Sequence, residues 1–279
     1  MDVCIMNFTE IKQKLRYKRY SPNTIRTYIS CLEQFNRFIK SEKLQINEPV
    51  IYQYLMGLVA KGYSRSSQNQ HINAIKFYLE KVLKQKQKSY YIERPLKKRM
   101  LPTVLSEQEI QLIFSNIKNL KHKAILSLIY SSGIRIGEAL NLTINDLDSD
   151  RMLISIRRGK GEKDRMVPMA SNVLKLLRVY YKEYKPVNYL FNGNENGPYS
   201  ATSVRNVLKR AVYKSYIKKN VTPHTLRHSY ATHLLEKGTD LRYIQVILGH
   251  SSVKTTEIYT HVSTKNLQAI KIPIEEMQL

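Results

Sequence analysis

Apolar residues recur at helical spacing through most of the chain. Ile25, Tyr28, Ile29, Leu32, Phe35, Phe38 and Ile39 fall on one face of a 3.6-residue period. Ser21 and Pro22 open that run as a cap and a first-turn proline. A second helix is expected from Glu48 to Ala60, closed by Lys61-Gly62. A third is expected from Ser64 to Leu83, with Ile72, Ile75, Leu79 and Val82 on one face. With a short helix near residues 8 to 15, the first part reads as a bundle of about four helices.

Between residues 84 and 102 no apolar period survives. Lys84, Lys86, Lys88, Arg94, Lys97, Lys98 and Arg99 are interrupted there by Pro95 and Pro102. The expected organisation is a helical domain at 1–86, a basic linker at 87–103 and a second domain at 104–262. Ser106 and Glu109 open the second domain as a capping box. Helices are expected at about 106–118, 121–132, 170–182, 200–213, 225–237 and 240–247. Between them the pattern changes. Met152 to Ile156 leads into the turn Gly159-Lys160-Gly161, and Arg165 to Pro168 leads out, which predicts a strand, a tight turn and a strand. The fold class is therefore mainly α with a small β-sheet in the C-terminal domain.

Charge narrows the range of partners. The 279 residues hold 46 Lys and Arg against 22 Asp and Glu, a net charge of +24. Residues 1 to 99 hold 20 basic against 7 acidic side chains and the remainder 26 against 15, so both domains are basic. A polyanion is implied, and nucleic acid comes first. Two cysteines, Cys4 and Cys31, form neither a disulfide framework nor a zinc set. No stretch approaches the ~18 apolar residues of a membrane span, and the N-terminus carries no signal-peptide pattern. A reduced, cytoplasmic protein with no membrane partner is expected.

Several residue groups suggest chemistry at phosphorus. Arg135 follows Ser131-Ser132-Gly133-Ile134 at a break between two helices, a favourable place for phosphate. Glu138, three residues on, shares its face and is placed to hold it. Lys160 sits between glycines on the hairpin turn, where the backbone can approach DNA closely and the ammonium can protonate a leaving oxygen. Lys163 is the nearest alternative for that role. His224 and Arg227, at i and i+3, share one face near a helix start. His228 reads as a packing or supporting residue rather than a catalytic one, and His233 likewise. His250 follows Gly249, which suits a left-handed helix end. Tyr259 comes nine residues later. Arginines pair with phosphate oxygens in a fixed fork, histidines move protons near neutral pH, and a tyrosine supplies a covalent nucleophile.

The ordered set of Gly133-Ile134-Arg135, Gly159-Lys160-Gly161, His224-Thr225-Leu226-Arg227-His228, Leu248-Gly249-His250 and Tyr259 resembles the tyrosine recombinase family, the phage integrase and Xer type. The likeness covers nearly the whole chain. One mild departure is Ala139, where the family segment Gly-Leu-Arg-x-x-Glu-Leu has leucine. The resemblance implies a catalytic set of Arg135, Lys160, His224, Arg227, His250 and Tyr259. It implies cutting and rejoining of DNA through a 3′-phosphotyrosyl link and a Holliday junction, with no cofactor and no metal. It also implies a homo-tetramer on paired sites in double-stranded DNA, each an inverted repeat. Residues 1–86 then correspond to the core-binding domain. The tail 263–279, with Leu267, Ile270, Ile272 and Ile274, would dock on a neighbouring subunit. Too few residues precede position 8 for an arm-binding domain, which favours an Xer-like or small mobile-element enzyme. The alternatives are a type IB topoisomerase and a non-catalytic DNA-binding regulator.

Overall fold

The computed structural model describes residues 6–84, 93–96, 101–157, 164–193, 197–250 and 252–260. Two compact units divide the chain, Met1–Arg99 and Met100–Leu279.

The first unit is built from α1 (Phe8–Tyr17), α2 (Pro22–Ser41), α3 (Glu48–Ala60) and α4 (Arg65–Phe77). Each helix starts on a side chain that accepts a backbone N–H, namely Asn7, Ser21, Asn47 and Ser64. The expected stripe of α2 turns inward, with Ile29, Leu32, Phe35 and Ile39 buried against Ile72 and Ile75 of α4. Full burial of each such side chain contributes about 1.5–3 kcal/mol. Among them Tyr54 Oη lies 3.0 Å from Nδ1 of the buried His71. The third predicted helix does not run unbroken to Leu83, because after Phe77 it widens into a π-helical turn, Tyr78–Val82. Of the segment read as a linker, residues 93–96 and 101–103 are described, and Lys97, Lys98 and Arg99 lie outside the described residues. Arg94 donates to Asn69 Oδ1 at 3.1 Å and to Asn73 Oδ1 at 2.9 Å, so this stretch lies along α4.

The second unit begins with α5 (Glu107–Ser115), and both bonds of the Ser106–Glu109 capping box are present. It continues with α6 (Leu120–Ser132), α7 (Ile136–Asn141), β1 (Leu147–Asp148), β2 (Leu153–Ile156) and β3 (Arg165–Pro168). Then come α8 (Ser171–Tyr184), α9 (Ala201–Lys214), α10 (Pro223–Glu236) and α11 (Leu241–Leu248), with 3₁₀ turns at Val253–Thr255 and Glu257–Tyr259. The strands form one antiparallel sheet in the order β1-β2-β3. Ile154 pairs with Val167 and Ile156 with Arg165. β1 was not expected, since two residues carry no alternation. α6 is the central helix. Its Ala124, Ile125, Leu126, Leu128 and Ile129 are all fully buried, which explains why its apolar pattern lacks a polar face. α10 starts at Pro223 on the Thr222 cap, two residues before its expected start. Its Ser229 hydroxyl accepts the Leu105 N–H at 2.9 Å, tying the start of the unit to this helix. The tail 263–279 lies outside the described residues.

Candidate active site

Two helices end at this site with glycines in the left-handed conformation. Gly133 closes α6 at φ 62° and Gly249 closes α11 at φ 61°. Such ends leave backbone carbonyls without helical partners and carry partial negative charge. Arg227 satisfies them. Its Nη1 donates to Gly133 O at 2.7 Å and its Nη2 donates to Leu248 O. Arg135 Nη2 donates to Gly249 O at 3.3 Å. These glycine-closed helix ends, of which Gly249 was predicted, therefore also place the arginines.

Gly133 tolerates nothing larger. A Cβ there would lie 2.5 Å from a ring carbon of Tyr230 and 2.9 Å from Leu248 Cδ2. Gly133→Ala combines a left-handed alanine with overpacking and is expected to cost about 2–4 kcal/mol. Urea unfolding of the variant, followed through the second unit's transition, measures that loss.

Arg135 is the N-cap of α7. Its N–H donates to Glu138 Oε2 and its Nη1 to Glu138 Oε1, both at 2.8 Å. Glu138 holds the arginine as its spacing suggested. It also receives both terminal nitrogens of Arg165, at 3.1 and 2.8 Å. Burial pushes the Glu138 carboxyl up, but the Arg165 and Arg135 hydrogen bonds and the Arg165 charge outweigh it and hold its pKa at about 2. Burial lowers Arg227 to about 10, helped by the neighbouring charge of Arg135, so it stays protonated at neutral pH. Three arginines face one carboxylate, which leaves this cluster two positive charges in excess. The Arg135 side chain is 23% exposed, against 8% for Arg165 and 4% for Arg227, so it is the cation open to an incoming anion.

The histidines surround the tyrosine. Tyr259 lies in the last 3₁₀ turn, fully buried with Tyr230, Ala231, Ile244 and Leu248. Its hydroxyl is 3.0 Å from His228 Nδ1. His228, read from sequence as a packing or supporting residue, is thus the histidine that meets the phenol. His224 lies one turn earlier on α10, on the exposed side. The His250 ring stacks on Tyr259, with centroids 6.3 Å apart and planes 15° apart, and its Nδ1 is 2.9 Å from Thr256 Oγ1. Burial first, then neighbouring positive charge, lowers all three imidazoles, His228 and His250 to about 4. They are therefore neutral at pH 7 and able to accept protons. Burial raises the Tyr259 phenol, and Arg227 and Arg135 pull the other way.

The structure brings Arg135, His224, Arg227, His250 and Tyr259 into one cluster. Lys160 lies outside the described residues, although the strands flanking its turn are paired and β3 opens with Arg165. Sequence reasoning missed Arg165. The available signal was strand alternation, because Arg165 and Val167 share the inward face and Val167 is fully buried.

A family model described as "Phage integrase family" matches residues 103–266, and "Phage integrase, N-terminal SAM-like domain" matches residues 8–89. The chain belongs to the phage integrase family of tyrosine recombinases. It is 33% identical to tyrosine recombinase XerC of Bacillus subtilis, over 90% of each chain. It is 36% identical to tyrosine recombinase XerA of Pyrococcus horikoshii, over 93% of this chain and 90% of that one. Among solved structures it resembles the XerH site-specific recombinase bound to its difH substrate. That match has a TM-score of 0.71 and 26% identity over 88% of this chain and 79% of that one. This tyrosine recombinase is accordingly an enzyme of site-specific DNA strand cleavage and rejoining. Its helical architecture with a small antiparallel sheet agrees with the fold class read from the sequence.

Proposed function

We propose that Tyr259 is the nucleophile and that Arg135 and Arg227 bind the scissile phosphate. The observation that carries this reading is the excess of arginine charge in the same cluster as the buried tyrosine, whose phenol feels both Arg227 and Arg135. The phenolic oxygen attacks phosphorus, the P–O bond to the 5′-oxygen breaks, and a 3′-phosphotyrosyl link remains. The two arginines stabilise charge on the non-bridging oxygens as the fifth bond forms. His228 holds the phenol at rest. Tyr259 is fully buried, so attack requires its short turn to move, and His224 then takes the proton. Lys160 protonates the leaving oxygen, and His250 donates to a phosphate oxygen. A 5′-hydroxyl from the partner strand reverses the step, exchanging strands through a Holliday junction.

Residues 1–86 and 104–262 grip the duplex from a core-binding and a catalytic domain joined by the basic linker 87–103. Four copies act on two paired inverted-repeat sites in the cytoplasm, each tail 263–279 docking on its neighbour. The exchange serves integration, excision or chromosome-dimer resolution by an Xer-like or small mobile-element enzyme. Among the described residues, no helix is long and apolar enough to cross a membrane.

A plasmid carrying two copies of the target site tests this reading against relaxation alone. Recombination gives deletion or inversion products joined at the site. Relaxed circles with unexchanged sites would favour a topoisomerase-like reaction.

A further inference from the structure

Arg165 has no place in the reaction just described, yet its donors are committed to the site. Its two terminal nitrogens grip both oxygens of Glu138, and its Nε donates to Ile247 O at 2.8 Å. Arg135 N and Nη1 occupy the same two oxygens, so four donors saturate one carboxylate. The other anchor of Arg135 is Gly249 O. At Gly249 an added Cβ would lie 3.0 Å from the Arg165 side chain. Arg165 therefore touches both elements that fix Arg135, the carboxylate and the end of α11.

We propose that Arg165 is a positioning residue that clamps Glu138 and the end of α11, and thereby fixes Arg135 in the rotamer that meets the phosphate. This rests on the reading of Arg135 and Arg227 as phosphate ligands. Without the clamp, Arg135 and Glu138 form a lone pair at i and i+3 that is free to change rotamer. Charge points the same way. Arg165 offsets Glu138 and leaves the Arg135 charge for the incoming anion. A lysine keeps that charge but offers one compact ammonium in place of a planar fork with a third donor on Nε. Because Arg165 opens β3 five residues after Lys160, the clamp also ties the stem of that hairpin to the arginine site.

Sulfate, a phosphate mimic, tests this on the full chain carrying ¹⁵N-labelled arginine. In the unsubstituted protein sulfate is expected to shift the Nε–H signals of Arg135 and Arg227, assigned with Arg135→Lys and Arg227→Lys. In Arg165→Lys the Arg227 signal still responds, the Arg135 signal broadens, and sulfate affinity falls about tenfold. Arg165→Gln is expected to lose at least as much. Should neither variant fold, the unsubstituted chain decides. The clamp requires Glu138 to remain ionised at about pH 4, where an ordinary glutamate is half protonated, as read from its ¹³C carboxyl shift. An ordinary titration there, or wild-type sulfate affinity and an unchanged Arg135 signal in the variants, overturns the positioning role. An unsubstituted chain blind to sulfate overturns the phosphate-site reading itself, and this inference with it.

Discussion

Tyr259→Phe is expected to abolish covalent attachment to DNA while leaving DNA affinity unchanged. The phenylalanine ring keeps the packing against Tyr230, Ala231, Ile244 and Leu248 and the stack on His250. Only the hydroxyl and its contact with His228 Nδ1 are lost. One neutral hydrogen bond contributes about 1 kcal/mol, so the variant folds. The chemistry has no substitute, because the hydroxyl is the atom that bonds to phosphorus. Adduct formation should fall by at least about four orders of magnitude. Denaturing gels with labelled DNA read the adduct, and gel shifts read the affinity. A variant that still forms an adduct would move the nucleophile to another residue.

Arg227→Lys is the second large effect. Arg227 is 3% exposed and bridges the ends of α6 and α11 with separate nitrogens. A lysine ammonium is a single point and leaves at least one of those buried carbonyls without its donor, at a cost of about 1–3 kcal/mol. It also cannot present a planar fork to phosphate. Loss of one pre-aimed donor at a transition state typically costs about 10²–10³ in rate. We expect single-turnover cleavage to fall by about a thousandfold, with the melting temperature of the second unit reduced. DNA affinity should change little, since a chain of net charge +24 has many other cations to spread along a duplex. A variant that cleaves within a few-fold of wild type would contradict the assigned role.

Local chemistry made much of this legible in the sequence. Ser106 and Gly249 sit at helix ends where their side-chain or backbone preferences place them. The stripes of α2 and α4 face the core of the first unit as their spacing requires. The arginine, histidine and tyrosine motifs could be named because each is a short run with its own local pattern. What stayed hidden is long-range. Arg165 reaches Glu138 across 27 residues and Ile247 across 82, and strand alternation, which puts it on the inward face with Val167, does not name those partners. His228 could be read no further than a packing or supporting residue, since its partner Tyr259 lies 31 residues away. The two-residue β1 and the π-turn after Phe77 depend on tertiary pairing and backbone register, which apolar spacing does not encode.

Covalent capture reads the nucleophile and its target together. Host genomic fragments are incubated with the wild-type protein and with Tyr259→Phe, denatured, and the attached DNA is sequenced. DNA bound only to wild type, at a recurrent two-armed sequence and joined through its 3′ phosphate to Tyr259, is the predicted result. Tight DNA binding with no adduct from either protein would contradict it.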